Sequence, residues 1–377
     1  MKTVALSKVA KINMGQSPLS ESYNKIGDGL PFFQGKTDFG DMYPKIRVFC
    51  TSPNKIAEAD DILLSVRAPV GSINICKTKS CIGRGLAAIR AKSEIEQKYL
   101  YHFLNFYEPQ LAQIGKGSTF EAVNREDVEN IQIPLPNPDE QKRIAAILDK
   151  ADRLRRQRRY AQTLSDSFLQ SVFIKMFGDI FKNEKDFEIG GLGQKVSFMT
   201  SGSRGWAEHY TTKGDLFLRI QNVNKGELLL DDIAFVQAPD TAEAKRTKVK
   251  EGDVLLTITA ALGRSAVIPK NLPTAYINQH IALLRVKELD PTFVSHFITS
   301  KSGQIQIQML DREGVKSGLN FDDIKGIKIL LPPLPLQENF ATIVQKFERV
   351  RRQQREATRQ AEHLFQTLLH RAFRGEL

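Results

Sequence analysis

One segment of this chain occurs twice, and that limits what it can fold into. Leu135-Pro-Asn-Pro-Asp-Glu-Gln141 precedes apolar residues at Ile144, Ile147, Leu148, Ala151, Leu154, Ala161, Phe168, Val172 and Met176. Leu331-Pro-Pro-Leu-Pro-Leu-Gln337 precedes Phe340, Ile343, Val344, Phe347, Val350, Ala357, Leu364, Leu368 and Ala372. Spacings of three and four are those of an amphipathic helix. Pro138 resists a helix interior, and Asp139 and Glu140 then supply the negative first turn that a helix start favours. Gln141 matches Gln337, Ile147 matches Ile343, Arg155-Arg156-Gln157 matches Arg351-Arg352-Gln353, and Phe177 matches Phe373, all at an offset of 196. The segment is a tandem duplication that has kept its helical register.

Each helix can run nearly forty residues, about 55 Å at 1.5 Å per residue. A stripe that long needs a partner, and the twin helix is the obvious one. Arg158 and Ser165, and Gln354 and Ala361, fall where an apolar seam residue is expected. The pattern therefore predicts a loose pair with apolar surface left for another protein.

The rest of the chain repeats too. Short β-type runs at Leu30–Gln34, Asp61–Arg67, Gly71–Cys76 and Leu86–Arg90 precede a helical stretch from Tyr99 to Ile114 and a strand-like Ile131–Leu135. Leu216–Ile220, Gly252–Thr259, Ile281–Arg285 and Phe293–Phe297 answer four of them, while Asn320, Asp323, Ile327 and Ile329 answer Asn124, Asp127, Ile131 and Ile133. The apolar scaffold matches and the loops differ. The expected class is α+β: two mixed domains of the same fold, residues 1–136 and 181–333, with helices at 137–180 and 334–377.

Catalytic chemistry is hard to find. Gly115-Lys-Gly-Ser118 lacks phosphate-loop spacing. Asp240, Glu243 and Lys245 sit within one polar connection, not on separate strands around a metal. The six histidines form no metal-ligand pattern, and His102 and His296, matched on predicted helices, read as packed and hydrogen-bonded. Cys50, Cys76 and Cys81 have no paired spacing and suit a reducing cytoplasm. No run has the length of a membrane span. We expect no catalysis, no metal, and a cytoplasmic location.

A net charge of +11 points to an anionic partner, nucleic acid before membrane. Residue types that grip phosphates and read base edges lie in the loops. The first half offers Gln34, Lys36, Thr37, Arg67, Arg84, Lys116, Ser118 and Thr119. The second offers Ser203, Arg204, Trp206, Arg219, Gln221, Asn222, Asn224, Arg264, Asn278, Gln279, His280, Lys316 and Ser317. Trp206 suits base contact and packing under its loop equally. The arginines of 153–159 and 349–355 wrap around the helices, so most are expected to be solvated or paired with a partner protein. Two alternatives stand beside DNA binding: a nuclease or methyltransferase with a cryptic site, and a basic coiled-coil scaffold.

The run from Pro134 to Asp149, its echo at 332–350 and the ending Phe373-Arg-Gly-Glu-Leu377 resemble the DNA-specificity subunit of type I restriction-modification enzymes. Leu216–Asn224 and Asp253–Thr257 resemble that family's target-recognition domains. The resemblance implies two such domains separated by two long antiparallel coiled-coil-like helices with pseudo-two-fold symmetry. Each domain would read half of a bipartite, asymmetric double-stranded DNA site. The helices, through Ile144, Ile147, Leu148, Leu154, Phe340, Ile343, Phe347 and Val350, would dock two methyltransferase subunits. Motor-nuclease subunits would join them, and S-adenosylmethionine, ATP and magnesium would belong to those partners. Leu336 departs from the acidic residue of the first copy, and Pro31–Lys36 departs from the usual recognition-domain pattern.

Overall fold

The computed structural model describes residues 2–116, 122–311 and 318–377, without the side chains of Lys116 and Asp166. The chain divides into two compact units: Met1–Ala161 with Gln354–Leu377, and Gln162–Gln353. Each unit thus takes half of each long helix, Pro138–Phe177 and Leu334–Arg374.

The first unit is built on an antiparallel sheet ordered Ala10–Met14, Leu86–Ala91, Ile62–Ser65, Ile73–Ile75. The central strands are uninterrupted apolar runs because both faces of the sheet are covered. Ile62, Leu64, Ala87 and Ile89 point into the main core, whereas Leu63, Leu86 and Ala88 point into a second cluster with Phe33 and Ile82. Strand side chains alternate faces, so one run serves two cores. That second cluster lies under a sheet in which Leu30–Phe33 and Ser80–Ile82 run parallel.

The second unit repeats the plan. Its sheet is ordered Val196–Ser201, Ile281–Val286, Val254–Thr257, Ser265–Val267. Val254, Leu256, Ala282 and Leu284 face one cluster, and Leu255, Ile281 and Leu283 face another. Asp215–Leu218 and Ala275–Ile277 supply the parallel pair. Strands Ser80–Ile82 and Ala275–Ile277, both too short to show a period, are additions to the sequence reading.

Matched polar devices hold both frames. Asp61 accepts from Arg90 at 2.6 and 3.0 Å, and Asp253 accepts from Arg285 at 2.8 Å twice. Asn124 with Asp127, and Asn320 with Asp323, form reciprocal capping boxes on short helices. The repeated glutamines have a structural explanation as well. Gln141, 1% exposed, accepts from the Glu96 N–H and donates to the carbonyls of Glu94 and Pro136. Gln337 accepts from the Asp290 N–H and donates to Pro332. Each fixes the start of a long helix to the start of its unit's domain helix, Gln97–Lys116 or Pro291–Thr299.

The helices run antiparallel within each unit. In the first, Arg143 donates to the Leu377 carbonyl while Arg155 meets Glu362. In the second, Phe168 packs on Phe347 and Phe177 meets Phe340 edge to face, with centroids 4.8 and 5.5 Å apart. Phe373 closes the first unit against Tyr99 and Phe103, both at 5.3 Å, as its match Phe177 closes the second against Phe293 at 4.7 Å. Ser165 and Ala361, expected as weak seam positions, are buried. Among the described residues, no helix is long and apolar enough to cross a membrane.

Candidate nucleic-acid interface

In the first unit three chain segments leave the sheets on one side. Gln34–Thr37 follows strand Leu30–Phe33, Gly83–Gly85 follows Ser80–Ile82, and Arg67–Pro69 follows Ile62–Ser65. They enclose a concavity of about 650 Å³ lined by Gln34, Lys36, Thr37, Arg67 and Arg84. Five of the sequence candidates are therefore brought together. Ser17, Tyr23 and Ser65 join them and were missed. Ser17 lies in a Gly-Gln-Ser-Pro stop whose location only the fold reveals.

Among the described residues, no carboxylate lines this concavity. Lys36, Arg67 and Arg84 are exposed, and none has an ion-pair partner among the described residues. Asp38 instead turns back on its own loop, accepting from Gln34 N–H at 2.7 Å and pairing with Arg47 at 3.0 Å. The loops meet because glycine allows it. A Cβ at Gly15 would sit 2.2 Å from the Gly83 carbonyl oxygen, and one at Gly85 would sit 2.3 Å from that of Gln34.

The second unit gathers its candidates at the corresponding strand ends. Ser203 bridges Asn278, and Asn278 N–H donates to Leu218. His280 has Thr259 Oγ1 at 2.6 Å from Nδ1 and Gln279 Nε2 at 3.1 Å from Nε2. Gly202 makes the close approach here, since a Cβ would lie 2.1 Å from the Asn278 carbonyl. Arg204, Gln221 and Arg264 are exposed, and Asn224, Asn278, Gln279 and His280 are partly so.

Several assignments need correction. Trp206 is 6% exposed, lies 5.0 Å from Phe217 and 5.3 Å from Tyr276, and donates to Ser203 Oγ. It holds its loop from below. Asn222, 1% exposed, accepts from Arg219 N–H and donates to the carbonyls of Leu229 and Asp232, so its amide is spent on the loop's own shape. Arg219 and Gln221 both meet Asp232 at 3.2 Å. Ser118, Thr119, Lys316, Ser317 and the side chain of Lys116 lie outside the described residues.

On the helices, Ile144, Leu148 and Phe340 are buried in their units' cores and cannot present themselves to a partner. Their stripe faces the helix's own domain. Ile147, Leu154, Ile343 and Phe347 are half-buried, and Val350 is exposed. The outward apolar residues are instead Tyr160, Leu164, Phe168, Ile174 and Leu364, with Val350. Of the arginine runs, Arg153, Arg158, Arg159, Arg349 and Arg352 are exposed, as expected, while several of the arginines pair within the chain. Arg155 and Arg156 meet Asp152, Arg159 meets Glu362, and Arg351 meets Glu227.

His102 is fully buried with Nε2 2.8 Å from Asp149. Burial pushes the Asp149 carboxyl up, but His102 and Lys98 outweigh it and hold it at about 2. His296 is buried and pushed down to about 4 by desolvation, with Arg351 adding to the effect. Burial raises the Cys76 and Cys81 thiols to about 11 and 12, so neither is a thiolate at neutral pH. Among the described residues no cluster of His, Cys, Asp and Glu has metal-binding geometry. Asp240 and Lys245 form an exposed surface pair at 2.7 Å.

The chain is built from two copies of one mixed sheet-and-helix frame, each with polar and cationic loops gathered at its strand ends. The chain belongs to the type I restriction modification DNA specificity domain family, whose profile matches residues 1–162 and 185–361. It is 21% identical over 417 residues to the EcoBI specificity subunit of Escherichia coli, covering 99% of this chain and 85% of that one. A putative specificity subunit, MjaX of Methanocaldococcus jannaschii, is 47% identical over 148 residues, spanning 39% of this chain and 35% of that protein. The fold matches the S subunit of M. genitalium at 16% identity with a TM-score of 0.63, covering 99% and 96% of the two chains.

Proposed function

We propose that this chain is the non-catalytic, sequence-reading subunit of a type I restriction-modification complex. Each unit reads one half of a bipartite, asymmetric double-stranded DNA site. The observation that supports this best is the concavity at the strand ends of the first unit: three exposed cations with amide and hydroxyl groups between them and, among the described residues, no lining carboxylate. Cations there neutralise phosphates, and Gln34, Thr37 and the arginines have the hydrogen-bonding capacity to read base edges. In the second unit Arg204, Arg264, Asn278 and Gln279 do the same work, while Arg219 and Gln221 act only if DNA displaces Asp232.

The helices dock two methyltransferase subunits through the outward apolar residues named above. Methyl transfer and cleavage, with S-adenosylmethionine, ATP and magnesium, belong to the methyltransferase and motor-nuclease partners. The test is to express the chain with its methyltransferase partner and sequence the methylated sites. One asymmetric bipartite motif is the expected result. Swapping the loops of the first unit should alter one half of that motif only. DNA cleavage or methylation by the isolated chain, given magnesium or S-adenosylmethionine, would refute the reading.

A further inference from the structure

The frame is duplicated, but one surface on it is not. At the seam between the start of helix Gln97–Lys116 and the first half of helix Pro138–Phe177 lies a cleft of about 480 Å³. Ala145 and Ala146 line it, and Lys142, Lys150 and Arg153 stand along one helix face at spacings of eight and three. These three cations are exposed and have no ion-pair partner among the described residues. Lys98 also lines the cleft, paired with Asp149 at 2.7 Å. Lys150 and Arg153, one helical turn apart, repel each other, and Asp149, four residues before Arg153 on the same helix, offsets this only in part.

The matched positions of the second unit are Asp290, Thr292, Glu338, Ala341, Thr342, Gln345, Lys346 and Arg349. Where the first copy sets four cations against two carboxylates, the second sets two against two. A partner that docks on both copies of the frame has no use for such an asymmetry. A partner that binds once does.

We propose that this cleft docks an acidic segment of a partner protein, one per chain. Duplex DNA fits poorly. Strand Leu86–Ala91 begins beside the concavity, at Gly85, and ends where Gln97 caps Ala91 near the cleft, about 20 Å away at 3.3 Å per residue. Glu96 and Asp149 also interrupt the cations. A continuous phosphate chain meets repulsion there, whereas a peptide can set its carboxylates beside Lys142, Lys150 and Arg153 separately.

The experiment is fluorescence anisotropy of a labelled oligo-glutamate peptide titrated with the full chain at about 0.1 M salt, where charges a Debye length apart still act. The triple variant K142Q/K150Q/R153Q keeps helix propensity and should weaken peptide binding about tenfold, the sum of three exposed pairs. A control, K25Q/K185Q/K270Q, removes the same charge from exposed sites elsewhere and should leave binding unchanged. Duplex DNA binding should be the same in both variants. Equal weakening by both variants, absence of peptide binding to the unaltered chain, or loss of duplex binding specific to the first variant would each overturn the proposal. Because the peptide arm needs no DNA, its failure leaves the DNA-reading function untouched.

Discussion

Arg155 and Glu362 form an ion pair of 3.0 Å although 207 residues separate them in sequence. The guanidinium carbon lies 4.0 Å from the centroid of the Phe365 ring, and Asp152 holds its other side at 2.6 Å. Arg351, its match in the duplicated helix, instead meets Glu227 in the hairpin that follows the Arg219–Asn224 loop. Duplication preserved the residue and changed its task.

The first unit depends on the far end of the chain. Phe365, Leu369, Ala372 and Phe373 belong to the same core as Ile62, Leu100 and Leu148. A chain ending at Gln353 should therefore lose protection from hydrogen exchange in strand Leu86–Ala91, while strand Ile281–Val286 stays protected. The milder Phe373→Ala should cost the first unit about 3–5 kcal/mol, the usual range for emptying a buried aromatic site. Exchange mass spectrometry resolves the two strands, and equal loss in both would contradict this division.

Much of this was legible in the sequence, for a physical reason. Long periodic helices and apolar central strands are decided by burial, and burial leaves a pattern. The 196-residue offset did the rest. The site was legible only in part. Gln34, Lys36, Thr37, Arg67 and Arg84 are scattered along the chain and met because parallel strands end together, while Ser17 and Tyr23 gave no signal. Trp206 and Asn222 misled because a polar loop can still have an interior. Ile144, Leu148 and Phe340 misled because an apolar stripe does not say which neighbour it faces.

Arg67→Ala and Arg84→Ala should each weaken binding of duplex DNA. If an arginine sits on a phosphate, its removal lowers the slope of log affinity against log salt by about 0.9 and affects all sequences alike. If it reads a guanine edge, the loss is about 1–3 kcal/mol and confined to one position of the target. Binding isotherms at several salt concentrations, on target and scrambled duplexes, separate the two. No effect on either duplex would remove the concavity from the interface.

His296 makes the second unit acid-sensitive. The unfolded chain takes up this proton near pH 6.5, whereas the folded chain resists it down to about 4. Between those values the unfolded state holds more protons, so stability is intact above 6.5 and falls as pH drops, by about 3 kcal/mol in full. Carboxylate pairs such as Asp149 with His102 enter only below about pH 4. Urea midpoints followed by exchange in helix Pro291–Thr299 should fall between pH 7 and pH 5, and His296→Gln should flatten that fall. An unchanged slope in the variant would place the sensitivity elsewhere.

Gly202 tests whether the second unit's loops are held as closely as its strand ends require. Its backbone lies against Asn278, and an added Cβ would come within 2.1 Å of both the carbonyl carbon and oxygen. These are backbone atoms of a segment already fixed by the Ser203 bridge and by hydrogen bonds to Leu218 and Ile281, so neither side can yield cheaply. Gly202→Ala should cost about 1–3 kcal/mol, as overpacking does, and should displace Asn278, Gln279 and His280 together. The expected result is faster exchange at Asn278–Ile281 and loss of discrimination in one half of the DNA target, with the other half still read. Gly205→Ala is the control for conformation alone: its φ of 91° strains an alanine, but no atom lies within 4 Å of the added carbon. If the two variants behave alike, backbone conformation governs this loop and the close approach to Asn278 does not.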